Sequence, residues 1–169
     1  FIYLSVLKAK GSQDVFWEET GAYTGEISPK ILHDLDCQYA IVGHSERRQY
    51  LGETNEMINK KIGACLDNKL IPIFCIGETL AERVNGQTDN VLLKQIRDGL
   101  KDIDIVGHEK IIVAYEPVWS IGAGQVAEPE EVRRIFKLIR QLLIDMYPLT
   151  IVNNNVRMVY GGSIDPLNV

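Results

Sequence analysis

Long hydrophobic runs are missing from this sequence. Its apolar stretches, such as Ile111 to Tyr115, are strand-length, well short of the ~20 residues that a membrane-spanning helix needs. An excess of basic charge is missing too. Eighteen Lys and Arg stand against 23 Asp and Glu, giving a formal charge of −5. The basic residues alternate with acids and do not form the stripe a polyanion would require, so no nucleic-acid partner is expected. Cysteine is scarce: Cys37, Cys65 and Cys75 are far apart, with no CxxC and no Cys/His ligand spacing. Neither a disulfide framework nor a metal site is expected; buried free thiols in a reducing cytoplasm are the simpler reading. No secretory leader is expected, and the sequence given shows no linker and no low-complexity tract. It also lacks an initiator Met, opening at Phe1 in mid-pattern and stopping at Val169 soon after Pro166. The expectation is a part of a longer protein.

What is present is the composition of an ordinary globular chain, 46% hydrophobic and 24% charged. Its length of 169 residues suits one domain spanning 1–169. Short β-branched runs alternate with helical patterns. Gln13 to Trp17 is a strand candidate, followed by a helix over Ser28 to Leu35 with Ser28 as N-cap and Pro29 in its first turn. Tyr39 to Gly43 reads as a fully buried strand and Thr54 to Asn68 as an amphipathic helix. Ile71 to Ile76 is a strand, Thr79 to Val84 and Thr88 to Leu100 are helical, and Asn85-Gly86 breaks them apart. Lys110 to Tyr115 is a strand, Pro129 to Tyr147 a strongly amphipathic helix, and Val156 to Tyr160 the last strand. This alternation predicts an α/β fold with parallel strands and right-handed crossovers. Five candidate strands fit an open doubly wound sheet or part of a (β/α)8 barrel, and in both the chemistry gathers at the carboxyl ends of the strands.

Those ends carry unusual choices. After the first comes Trp17-Glu18-Glu19-Thr20-Gly21-Ala22-Tyr23-Thr24-Gly25-Glu26, a long loop whose exposed aromatics suit a partner subunit. After the second, His44 precedes a short helix expected to be capped by Ser45. The positive end of a helix dipole favours the neutral imidazole, which can donate a hydrogen bond to a carbonyl oxygen. His33 and His108 have no such setting and read as surface residues. Glu78 reads as a helix-start acid with room for a supporting role. Glu116 ends an apolar strand, stiffened by Pro117, where a carboxylate makes a good general base. Beyond it, Ile121-Gly122-Ala123-Gly124-Gln125 has small residues that suit a movable lid and could offer backbone N–H groups to an anion. Tyr160-Gly161-Gly162-Ser163 could do the same for a phosphate.

Together these stretches, with Ile41-Val42-Gly43-His44-Ser45-Glu46-Arg47-Arg48, Gly77-Glu78-Thr79 and Ala114-Tyr115-Glu116-Pro117-Val118-Trp119, resemble the triosephosphate isomerase family, in its order and near its spacing. The resemblance implies a (β/α)8 TIM barrel, incomplete here, and a cofactor-free, metal-free interconversion of dihydroxyacetone phosphate and glyceraldehyde 3-phosphate. It makes Glu116 the proton acceptor, His44 the electrophile and Glu46 a supporting acid, an assignment borrowed from the family. Gly122 and Ser163 would bind substrate phosphate, and Trp119 to Ala127, with Ile121, Gly122, Ala123 and Gly124, would form the lid. Tyr23, Thr24 and Gly25 would enter the other subunit of a cytoplasmic homodimer. Ala123 stands where the lid usually carries threonine. The family's first-strand asparagine and lysine, and its last strand, have no counterpart, so the isolated chain is expected to be inactive. Two other readings compete. Gly122-x-Gly124-x-x-Ala127 matches a dinucleotide fingerprint, but six residues separate it from the strand end at Tyr115. A degenerate paralogue serving only as an interaction protein would keep the fold and lose the chemistry, against which His44 and Glu116 both stand.

Overall fold

The computed structural model describes residues 9–105, 107, 110–121 and 126–163, and the backbone of 2–4. Among them the elements run β1 (Ile2–Leu4), β2 (Ala9–Ser12), α1 (Pro29–Asp34), β3 (Cys37–Val42), α2 (Ser45–Tyr50), α3 (Asn55–Asp67), β4 (Ile71–Ile76), α4 (Leu80–Val84), α5 (Thr88–Gly99), β5 (Ile111–Tyr115), α6 (Pro129–Met146), α7 (Leu149–Asn155) and β6 (Val156–Tyr160). The strands form one sheet in the order β1-β2-β3-β4-β5-β6. From β2 to β6 every pairing is parallel and sequential, the arrangement of a partial (β/α) barrel.

Two expectations need correction. Gln13 to Trp17 is not a strand; the strand lies just before it, at Ala9–Ser12. Val15 and Phe16 are apolar and buried, Val15 within the main core, and Phe16 closes the following loop by donating its N–H to Ile27 O at 2.9 Å. Nor is the sheet wholly parallel. β1 runs antiparallel to β2, Tyr3 opposite Lys10, so a sixth strand occupies an edge that the alternating pattern did not reveal.

The helix starts follow local chemistry. Ser28 accepts the Ile31 N–H and Thr54 the Met57 N–H, which satisfies donors that a helix N-terminus otherwise leaves unpaired. α4 opens with a capping box, Thr79 and Glu82 each accepting from the other's backbone. The alternating residues Ala40 and Val42, Phe74 and Ile76, and Ile111, Val113 and Tyr115 face the helices. There they pack with Ile58, Ile62 and Cys65 of α3, Leu92 and Ile96 of α5, and Ile135, Ile139 and Leu143 of α6. The opposite face carries Ile41, Ile73 and Ile112, only half-buried. Strands apolar on both faces are built to be covered twice; here one cover is supplied by helices and the other would be the interior of a closed barrel.

Candidate active site

In-register parallel pairing brings the ends of β3, β4, β5 and β6 to one rim. At the end of β3, Gly43 turns the chain at φ 74°, in the left-handed region that glycine enters without steric cost. A Cβ there would also lie 2.8 Å from Ile58 Cδ1. His44 follows, and it, not Ser45, is the N-cap of α2: its Nδ1 accepts the Glu46 N–H at 3.3 Å. The expected cap, Ser45, is the first helical residue, and its N–H is free to donate elsewhere. An accepting Nδ1 leaves the ring proton of a neutral imidazole on Nε2. That atom lies 3.6 Å from Glu116 Oε1.

Glu116 arrives from β5. Its N–H donates to Ile76 O at 2.7 Å, and Gly161 N–H donates to Tyr115 O at 2.8 Å, so the ladder holds the residue between the exits of β4 and β6. Its other carboxylate oxygen, Oε2, accepts the Ser45 N–H at 3.1 Å. The residue is 6% exposed, and its fit is close on both sides. A Cβ on Gly77 would lie 1.7 Å from Glu116 O, and one on Gly161 would lie 2.9 Å from Glu116 Cγ. These glycines make room for the acid. Burial, and then the nearby Glu116 carboxylate, push the Cys75 thiol well above its ordinary range, so it stays a neutral wall of the site.

Two buried networks support this rim. Glu78, fully buried, accepts from Trp119 Nε1 at 2.9 Å and from Tyr115 Oη at 3.2 Å. It lies before the capping residue Thr79 and does not start the helix as expected. Burial, and then Glu78 beside it, raise the Tyr115 phenol far above its ordinary value. In the second network Lys61, 1% exposed, bonds Asp14 Oδ1 at 2.6 Å and also Glu53. Glu53 accepts the Gly43 N–H at 3.1 Å, and Arg47 reaches Asp14 at 2.8 Å. Arg48 donates to Gly43 O at 2.9 Å and Cys75 O at 3.1 Å; burial lowers its pKa, opposed first by Glu53. The turn that presents His44 is thus gripped from both polar faces.

The sequence profile of the triosephosphate isomerase family matches residues 5–169. The chain belongs to the triosephosphate isomerase family. Over 159 residues it is 52% identical to the triosephosphate isomerase of Dictyoglomus thermophilum, covering 94% of this chain and 64% of that relative. The corresponding proteins of Dictyoglomus turgidum and Moorella thermoacetica are 50% and 49% identical over the same share of this chain, and 64% and 63% of those two relatives are covered. The chain thus spans slightly less than two-thirds of the length of these relatives.

Of the residues picked out by this family resemblance, the fold brings His44, Glu116 and Ser163 to one rim. Ser163 Oγ donates to Ser120 O at 2.8 Å, joining the β6 exit to the 3-10 turn Val118–Ser120. Trp119 and Ile121 lie in or beside that turn. Gly122, Ala123, Gly124 and Gln125, the centre of the expected lid, lie outside the described residues, as does His108. Glu46 is largely exposed, its carboxylate 3.8 Å from His44 Nδ1. Tyr23, Thr24 and Gly25 are exposed on the loop after β2, and the Tyr23 ring meets that of Phe16 at a tilt, 4.6 Å between centroids. His33 is a surface residue, as expected. All three cysteines are buried and free. No described helix is long and apolar enough to cross a membrane. The roles of Gly77, Glu53 and Lys61 escaped sequence reasoning. Glu53 and Lys61 are eight apart in an unremarkable charge pattern, and only burial shows that they are paired.

Proposed function

We propose that these residues, in a full-length chain, catalyse the interconversion of dihydroxyacetone phosphate and D-glyceraldehyde 3-phosphate. The observation that carries this reading is the facing of His44 Nε2 and Glu116 Oε1 at 3.6 Å, on the ends of the two strands that flank β4, in a chain of this family. The Glu116 carboxylate takes the proton from the hydroxyl-bearing carbon of the ketose. The C–H electron pair becomes the C=C bond of an enediolate, and the carbonyl π pair moves onto oxygen, where the His44 Nε2–H donates. Protonated Glu116 then returns its proton to the neighbouring carbon, while His44 passes the hydroxyl proton from one oxygen to the other. Protons are redistributed and none is gained or lost, so the step asks nothing of a cofactor. Glu116 rests on the Ser45 N–H, and it turns from that amide to meet the substrate carbon.

The remaining assignments follow the same reading. Gly122 and Ser163 bind the phosphate, Trp119 to Ala127 form a lid that excludes water, and Glu46 is a supporting acid beside the lysine that the family's first strand supplies. Residues 1–169 are one domain, roughly two-thirds of a barrel. The loop at Tyr23, Thr24 and Gly25 docks into a second copy, a role that suits Tyr23, 46% exposed. The three buried free thiols suit a reducing cytoplasm. Turnover of dihydroxyacetone phosphate in D2O by the full-length protein tests the chemistry. Deuterium at carbon 2 of the aldose is expected, because a carboxylic acid exchanges its proton with solvent. Product that forms without any deuterium would require a direct hydride shift and would sink the enediolate route.

A further inference from the structure

Glu116 is flanked in the chain by neighbours that all converge on one buried residue, Glu78. Tyr115, immediately before it, donates its phenol to Glu78. Two residues after it, the Val118 N–H donates to Glu78 O at 3.2 Å, and Trp119 donates its indole N–H to Glu78 Oε1 at 2.9 Å. A fully buried carboxylate needs a compensating charge as well as hydrogen bonds. Arg83, in the last turn of α4, supplies it, with Nη1 3.6 Å from Glu78 Oε1. The same guanidinium lies 4.3 Å from the centroid of the Trp119 ring. It also pairs with Glu131 Oε1 at 3.3 Å, in the first turn of α6. One side chain therefore joins α4, the turn that leaves Glu116, and the helix that follows.

We propose that Arg83 is a positioning residue for Glu116, holding Trp119 by its stacked guanidinium and Glu78 by its charge so that the Val118–Ser120 turn fixes the direction of the carboxylate. Both functions need arginine: a planar cation stacks on indole while its edge pairs with a carboxylate, and a lysine ammonium offers the charge without the plane. The capping box at Thr79 and Glu82 sets the short helix from which Arg83 reaches. The inference rests on the isomerase reading of Glu116 and adds to it a residue that does not touch the substrate.

The test is made in the full-length protein, with Arg83→Met and Arg83→Lys and folding verified by circular dichroism. Displacing the base without touching the substrate's binding contacts lowers kcat and leaves KM nearly alone. Arg83→Met is expected to lower kcat about tenfold with KM within about twofold, and Arg83→Lys to lower kcat about threefold. A folded Arg83→Met protein with kcat within about twofold of the parent, or one whose KM rises without loss of kcat, overturns the proposal. If Arg83→Met does not fold, Arg83→Lys decides, and a parental kcat there overturns it. Parental turnover is measured first. Should the parent itself be inactive, the isomerase reading fails separately, and the carboxyl 13C resonance of Glu116 decides the positioning role. A shift in Arg83→Lys supports it, and an unmoved resonance refutes it.

Discussion

Gly77 has no room for a side chain, because a Cβ would lie 1.7 Å from the backbone oxygen of Glu116. Relief would require moving a strand exit that is held by the Glu116 N–H to Ile76 O bond. Gly77→Ala is therefore expected to destabilise the protein by about 3 kcal/mol or more, at the upper end of overpacking costs. Urea unfolding measures it as a lower midpoint at unchanged slope; a loss under about 1 kcal/mol would show that the rim is softer than argued. The same residue illustrates what a sequence conceals. Glu116 and His44 stood out as candidates because an acid and a histidine at the ends of apolar strands are costly unless partnered, and the fold sets them face to face. Gly77 sat in plain view beside Glu78, yet its purpose depends on an atom 39 positions away in the chain. Lys61 was equally silent: a lysine on a helix reads as surface until its pairing with Asp14 and Glu53 shows it is buried.

Among the elements, α3 and α6 were legible from periodicity, and the caps at Ser28 and Thr54 from chemistry. β2 was not, because Ala9-Lys10-Gly11-Ser12 has no β-branched residue and is made a strand by its neighbour. A Cβ on Gly11 would sit 3.4 Å from the Tyr39 Cβ, a contact visible only once β3 is in place. α6 ends at a tertiary contact that makes a pH prediction. The Tyr147 hydroxyl donates to Ile103 O at 2.9 Å, next to the end of α5. Burial, and then Asp104, push its phenol from 10.0 up to about 12. The folded chain therefore keeps a proton there that the unfolded chain releases first. This contribution to stability is whole below pH 10 and is lost as the pH rises through about 12. Tyr115 is raised in the same direction, so the comparison must isolate Tyr147. Denaturant unfolding between pH 10 and 12 is expected to show a shallower decline for Tyr147→Phe than for the parent. Parallel curves would show that Tyr147 titrates alike in both states.

Taken as a whole, the molecule is a sheet covered on one face. Helices α3, α5 and α6 bury Phe74, Ile76, Val113 and Tyr115 completely or nearly so, while Ile41, Ile73 and Ile112 on the other face stay half-buried. The alternating pattern left an open sheet and a partial barrel equally possible; the family relationship and the in-order parallel sheet decide for the barrel. The antiparallel β1 was beyond any reading of βα alternation, since nothing in three residues specifies the sense of their pairing. This architecture gives the site its logic. Each strand exit delivers one part, and the parallel register aligns them: His44 from β3, Glu78 from β4, Glu116 from β5 and Ser163 from β6. The catalysis proposed for such an assembly would depend on distances that the whole sheet maintains. The most direct test shortens the base by one methylene while keeping its charge, by measuring kcat for Glu116→Asp in the full-length protein. A carboxylate withdrawn by about 1 Å from the substrate carbon is expected to cost on the order of 10²-fold in kcat. A rate within about threefold of the parent would contradict the assignment of Glu116 as the base, and with it the account of the site.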